Sequence, residues 1–347
     1  MIRARRWISG LSALCAGCLI GLPSATEVGE HIIYSADEGL VACAGTAPYL
    51  DGFVPYLLDE LGVARSGDHR FRYYWIDQDE LERRCVQDEI RGCLIGQAAL
   101  ASSPASAHEL AHAVIDYTVD DDHPDWVFNE GIATAYDPSS FVRLDFDAHA
   151  VDPRTLLISK QLEFKGGYEG AGLFTWYLLH RFGPERYRRL FRRVDGHAEV
   201  DDVREDFAAA LGVDFDEEVE AFLAGPACEP DGFSVRPYFC SFPEEPWEGD
   251  RWAITLDVDC DDSSVVGSAE QPWTVMTLRI PDAGWYRVRM IGGSEVAIGR
   301  CDGCPWGRAT QRLSTQQAEG SLELDAGVHF LRVEGSGPVG VTISPDP

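Results

Sequence analysis

The chain is 347 residues long and carries 58 Asp and Glu against 29 Lys and Arg, a formal net charge of −29. That excess of carboxylates argues against nucleic acid as a partner, because phosphate backbones are bound through lysine and arginine. The length exceeds what one ordinary hydrophobic core supports, so two domains are predicted, an α+β unit followed by an all-β one.

Residues 1–25 read as an export signal. Arg3, Arg5 and Arg6 precede a short apolar run from Trp7 to Ile20, and Pro23-Ser24-Ala25 offers a cleavage site. The run is short for a membrane-spanning helix. Cys15-Ala16-Gly17-Cys18 resembles a bacterial lipobox, with cysteine in the usual place of leucine, which leaves open a lipid anchor at Cys18. That anchor is the only membrane contact expected, and the expected location is exported and bacterial: extracellular, periplasmic or at the cell surface. Eight cysteines follow Ala25, at 43, 85, 93, 228, 240, 260, 301 and 304, and an even number in an exported chain predicts disulfides. Three lie before residue 225 and five after, so complete pairing requires a bridge between the two regions. Cys85–Cys93 and Cys228–Cys240 are the expected local pairs.

The residue 26–225 domain opens with a strand at His31–Tyr34, an amphipathic helix near Pro48–Leu61 and an alternating strand at Phe71–Ile76. Glu80–Val86 reads as helical. Gly92–Ala99 reads as one buried strand leading into the next helix; within it, Cys93–Gln97 is either a substrate-binding sheet edge or an ordinary core strand.

That next helix, expected from about Pro104 to Ile115, contains His108-Glu109-Leu110-Ala111-His112. Ser102-Ser103-Pro104 supplies an N-cap hydroxyl and a first-turn proline. Histidines at i and i+4 lie one turn apart on the same helix face, so both imidazoles can reach one divalent metal, with the glutamate beside them as a general base. Asp125 can cap a second helix, Trp126–Ala133, and Glu130 within it is the candidate third ligand. A solvated helix glutamate is the alternative. Its apolar surroundings and the neighbouring Gly131, which costs a helix about 1 kcal/mol and so implies close contact, favour the ligand.

At these residues the sequence resembles the gluzincin metallopeptidases, the clan that includes thermolysin, aminopeptidase N and leukotriene hydrolase. His108-Glu109-Leu110-Ala111-His112 followed by Asn129-Glu130-Gly131 is similar to the paired motif of the latter two, and Tyr168-Glu169-Gly170-Ala171 is similar to their Tyr-Glu-Lys-Gly segment. The resemblance implies a zincin-like catalytic domain, with a mixed sheet edge and a helical lobe. It implies one Zn²⁺ per chain on His108, His112 and Glu130, Glu109 as base, and Tyr168 as the stabiliser of the tetrahedral intermediate. Seventeen residues separate His112 from Glu130, slightly fewer than in the family. The Gly-x-Met-Glu-Asn segment that grips a free amino terminus in the aminopeptidases is absent, which points towards an endopeptidase.

Further along, Phe141–Asp152 shows no regular period. Tyr168–Phe182 reads as a helix stopped by Gly183-Pro184. Glu185–Val194 is a basic helix suited to intramolecular charge pairing, with a substrate-facing patch as the alternative. Phe207–Leu223 completes the lobe, with a solvated acidic face over Asp216–Glu220. Residues 226–249, rich in Pro, Gly, Cys and Glu, read as a linker. Over 250–347, alternating runs at Trp252–Val258, Trp273–Ile280, Trp285–Ile291, Ser321–Leu324, Val328–Val333 and Val339–Ile343 predict a β-sandwich. The Asp-Ala-Gly turns before Trp285 and Val328 resemble those of the small pre-peptidase C-terminal sandwich of secreted bacterial peptidases. Cys301-Asp302-Gly303-Cys304 reads as a disulfide-bearing turn rather than a redox or zinc motif. The remaining histidines show no ligand spacing.

These features predict hydrolysis of a protein or peptide substrate by a zinc-activated water. Two alternatives stay open: a catalytically inactive zincin-fold surface or binding protein, and a zinc hydrolase of non-peptide substrates. Oligomeric state has no signature in the sequence.

Overall fold

The computed structural model describes residues 21–64, 68–86, 90–119, 125–137, 151–159, 166–196, 198–225, 236–301 and 310–346. The fold is α+β. Its first sheet has the order β1-β2-β3-β5-β4, from β1 (Glu27–Val28), β2 (Ile32–Ala36), β3 (Phe71–Trp75), β5 (Ala98–Ala101) and β4 (Gly92–Ile95). The inner strands β2, β3 and β5 run parallel, and the two edges are antiparallel. Parallel neighbours need a crossover. That between β2 and β3 carries α1 (Thr46–Glu60), which buries Tyr49, Leu50, Phe53, Val54, Leu57 and Leu58 as one apolar stripe. After β3 comes α2 (Gln78–Cys85), capped by Asp77, whose carboxylate accepts from the Asp79 N–H at 2.9 Å.

The segment expected as a single buried strand is a hairpin. Ile95 pairs with Ala98 across a two-residue turn in which Gly96 has φ +61°, a conformation that favours glycine. β5 is fully buried and β4 is left at the sheet edge.

The helical lobe begins with α3 (Ala107–Val119), which starts and ends a few residues later than expected. Next is α4 (Trp126–Tyr136), where Asp125 caps the helix by accepting from the Val127 N–H at 3.0 Å. It continues with α5 (Pro153–Ser159), α6 (Gly167–Phe191), α7 (Val200–Leu211) and α8 (Phe215–Leu223). α6 breaks at Gly183, where φ is +76° ahead of Pro184, as the sequence predicts. α4 and α6 approach closely at Gly131, where a Cβ would stand 2.4 Å from Thr175 Oγ1 and 2.9 Å from the Ala171 carbonyl oxygen. The basic second half of α6 pairs within the chain, Arg193 with Asp206 at 3.1 Å and Arg189 with Glu185 at 3.8 Å. The acidic face of α8 is not wholly solvated. Glu218 is buried, where it accepts from the Tyr177 hydroxyl and pairs with Arg181 at 2.5 Å; both partners stand on α6, one turn apart.

The C-terminal half is a β-sandwich. One sheet runs β13-β10-β15-β7, from β13 (Glu319–Leu324), β10 (Gly284–Ile291), β15 (Gly337–Pro345) and β7 (Trp252–Val258). The facing sheet runs β12-β11-β14-β9-β6, from β12 (Thr310–Ser314), β11 (Glu295–Arg300), β14 (Gly327–Glu334), β9 (Gln271–Ile280) and β6 (Glu244–Glu245), with β8 (Val266–Ser268) also on β9. The alternation of β10 places Tyr286, Val288 and Met290 inside, and Trp285, Arg287, Arg289 and Ile291 outside.

Within the stretch read as a linker, Tyr238–Ser241 forms a 3₁₀ turn whose Tyr238, Phe239 and Cys240 are buried. The Tyr238 hydroxyl donates to the Tyr49 carbonyl at 3.0 Å, joining this turn to α1. Cys85 pairs with Cys93 as expected, and Cys43 pairs with Cys260 across the two regions. Cys240, however, bonds to Cys301 rather than to Cys228. The buried 3₁₀ turn and the end of β11 bring the Cα atoms of Cys240 and Cys301 to 5.4 Å, within bridging range. Cys228, Cys304, the segment 1–20 and most of 141–152 lie outside the described residues. Among the described residues, no helix is long and apolar enough to cross a membrane.

Candidate metal centre

α3 presents His108 and His112 one turn apart, their rings edge to face with centroids 4.8 Å from each other. α4 packs beside α3 and brings Glu130 onto the same point. Glu130 Oε2 lies 3.1 Å from His108 Nε2 and 3.4 Å from His112 Nε2, and the two Nε2 atoms are 3.3 Å apart. These three ligand atoms lie within 4.8 Å of one another, and the group could hold a metal ion.

The donor chemistry fits a divalent ion that takes imidazole and carboxylate ligands. On the far side of its ring, His112 Nδ1 faces Asn129 Oδ1 at 3.1 Å. With the proton on Nδ1 and the amide oxygen accepting it, the Nε2 lone pair points into the cluster. Sequence reading assigns Asn129 no role. Its place immediately before Glu130 was visible, but that it turns towards His112 depends on how α4 packs against α3.

The ionisable groups of the site perturb one another. Burial opposes a charged imidazole, yet the carboxylate of Glu130 outweighs it and raises His112 to about 9; His108 is raised in the same way through its hydrogen bond to Glu130. Glu130 is also opposed by burial, but the two imidazoles hold its carboxyl well below the usual carboxylate range. In Glu109 burial prevails over the nearby imidazoles and raises the carboxyl.

Glu109 is 8% exposed and wedged between α3 and the edge strand β4. A Cβ built on Gly92 of β4 would lie 2.4 Å from the Glu109 carboxyl carbon, so this carboxylate fits there only because residue 92 is glycine. Tyr168, in the first turn of α6, is 46% exposed, and its ring centroid is 6.3 Å from that of His108. All five sequence-predicted site residues line one cavity of about 2000 Å³. His123, His149 and His197 lie outside the described residues, and His31, His69, His180 and His329 are not among the residues lining it.

No protein-family model matches the chain, and no curated protein matches it in sequence. Several solved structures match it in part, all at low scores. The periplasmic g-type lysozyme inhibitor PliG of Aeromonas hydrophila covers 30% of this chain and 96% of its own, at TM-score 0.21 and 12% identity. PliG of Salmonella Typhimurium covers 29% and 96%, at TM-score 0.19 and 11% identity. Aminopeptidase A of Legionella pneumophila, solved with aspartic acid, covers 85% of this chain but only 34% of its own, at TM-score 0.35 and 12% identity. Scores this low carry neither fold nor activity across.

Proposed function

We propose that the chain is an exported zinc metallopeptidase that cleaves peptide bonds within polypeptides. The observation that carries this reading is the convergence of two imidazole nitrogens and a carboxylate oxygen in a cavity that also holds the buried Glu109. Zinc held by His108, His112 and Glu130 would supply Lewis acidity, polarising a carbonyl oxygen and acidifying water.

The chain's own residues supply the rest. Glu109, buried beside the three ligand atoms, takes the proton of the attacking water and delivers it to the leaving amine. The Tyr168 hydroxyl, on the rim beside His108, donates to the developing oxyanion. Among the described residues β4 pairs with β5 on one side only, so its outer edge can take an extended peptide as an added strand. The cavity exceeds the roughly 300–1,000 Å³ of small-molecule sites, which favours a polymeric substrate. The described disulfides suit an oxidising compartment.

The test is elemental analysis of the purified protein beside its Glu130→Ala and Glu109→Gln variants, with hydrolysis of an unfolded protein as the second readout. Wild type is expected to hold about one zinc per chain. Glu130→Ala should lose the metal, and Glu109→Gln should keep it while turnover falls at least about 10²-fold. A wild type that takes up no zinc, or a Glu109→Gln variant with full activity, would defeat the reading.

A further inference from the structure

The cavity at the metal centre has two walls, and only one belongs to the N-terminal half of the chain. Opposite β4, α3 and α4, the lining comes from one end of the six-stranded sandwich sheet, including Glu270, Trp273, Glu295, Arg332 and Glu334. This end is fixed. Arg332 stacks 4.6 Å above the Trp273 ring and pairs with Glu334 at 2.8 Å, and Trp273 meets Tyr49 of α1 edge to face at 5.1 Å.

The two walls are also tied together behind the cavity. The buried Thr46 hydroxyl donates to the Gly267 carbonyl at 2.9 Å and accepts from the Gly267 N–H at 3.0 Å. Gly45 comes so close to the sandwich that a Cβ there would stand 2.6 Å from the Ser263 carbonyl oxygen. Cys43–Cys260 closes the same seam, and Cys240–Cys301 fastens to the sandwich the 3₁₀ turn that Tyr238 joins to α1. A sandwich held this firmly, with its open end turned to the metal ligands, is part of the cleft and not an appendage.

The lining is also biased in charge. Apart from Glu109 and Glu130, six carboxylates face three arginines among the described lining residues. Two of the arginines are already engaged on the sandwich wall, Arg332 with Glu334 and Arg312 with Glu295 at 3.9 Å. Glu270 sits exposed on the turn between β8 and β9.

We propose that the sandwich forms the second wall of the substrate cleft, and that the cleft takes an extended polypeptide whose lysine or arginine side chains meet Glu270 and share Glu295 with Arg312, which approaches it only to 3.9 Å. This deepens the peptidase reading and relies on it for the class of polymer, but the binding claim can be tested without hydrolysis. Fluorescence anisotropy would follow a labelled lysine-rich peptide of about a dozen residues, an extended reach of roughly 40 Å. The full-length protein would be kept with a chelator so that the peptide stays intact, and a glutamate-rich peptide of equal length would be the comparator.

The lysine peptide is expected to bind at least about tenfold more tightly than the comparator, and Glu270→Lys and Glu295→Lys are each expected to weaken it about fivefold or more. Glu248→Lys makes the same charge change at an exposed position outside the cleft, and should leave binding as in wild type. Equal weakening by all three variants would reduce the effect to the overall charge of the molecule, and no weakening by the two cleft variants would remove the sandwich from the site; either overturns the proposal. Should Glu295→Lys misfold, Glu270→Lys, on an exposed turn, decides alone. Binding as expected without cleavage after zinc loading would sink the peptidase reading and leave the groove. Cleavage with wild-type binding by both cleft variants would do the reverse.

Discussion

Glu109 occupies the space that a side chain at residue 92 would take. Gly92→Ala should therefore push the carboxylate out of line with the metal ligands while leaving those ligands in place. Zinc content should match wild type and kcat should fall roughly 10–100-fold, since a displacement near 1 Å at a reacting group costs that much. Unchanged kcat would show that the carboxylate has another place to go. Tyr168→Phe should keep zinc and lower kcat by about 10²-fold if its hydroxyl meets the oxyanion; a change in KM alone would make it a binding residue. His108, Glu109 and His112 were legible from spacing because i, i+4 geometry is local to one helix, whereas Glu130, on α4, was reached through its apolar surroundings, the neighbouring Gly131 and the family resemblance. Neither Gly92 beneath Glu109 nor Asn129 behind His112 could be read this way, as each contact joins separate elements.

Among the helices, α1 carries an unusual charge at its end. Burial raises the Glu60 carboxyl to about 7, against the backbone N–H of Arg236, and its Oε2 is buried without a hydrogen-bond partner among the described residues. The folded state thus holds this proton more tightly than the unfolded chain, where the carboxyl titrates near 4.5. The contribution to stability is present below pH 4.5 and is lost as the pH rises towards 7. Glu60→Gln should raise the melting temperature at pH 8 and change it little at pH 4. Solvent screening at this half-buried group keeps the gain to roughly 1–2 kcal/mol. An equal shift at both pH values would mean that its charge is not the cause. Helices α3, α4 and α6 and strands β10 and β14 were readable from their apolar patterns, and α4 from its Asp125 cap as well. The cap expected for α3 at Ser102-Ser103-Pro104, by contrast, falls before its first residue, Ala107. The β4–β5 hairpin was not, because an apolar run of that length reads equally well as one strand, and the two-residue turn at Gly96 leaves the run almost uninterrupted. Glu218 looked solvated for a related reason: its partners Tyr177 and Arg181 stand on another helix.

Across the whole molecule, the need for a bridge between the two halves followed from counting cysteines, whereas the partner of Cys240 depended on how the 3₁₀ turn packs against the sandwich. That packing also makes the sandwich end a cleft wall, a relation no local pattern encodes. Cys43–Cys260 encloses a sequence separation of 217 residues. Replacing both cysteines by serine should cost about 2–5 kcal/mol in denaturant unfolding, with the larger value expected for so long a loop. A loss below about 0.5 kcal/mol would mean that the hydrogen bonds and rings along the seam already hold it shut.

The same bond sets an order on how the molecule comes into being. Synthesis delivers Cys43 early and Cys260 only after His108, His112, Glu130 and the whole helical lobe have been made. Until then Cys43 can pair only wrongly or stay reduced. The strands that make the second wall of the cavity, and the cysteine that locks the seam, are thus among the last parts of the chain to be made. A chain interrupted before residue 260 would carry His108, His112 and Glu130 but lack both this bond and the sandwich wall of the cavity.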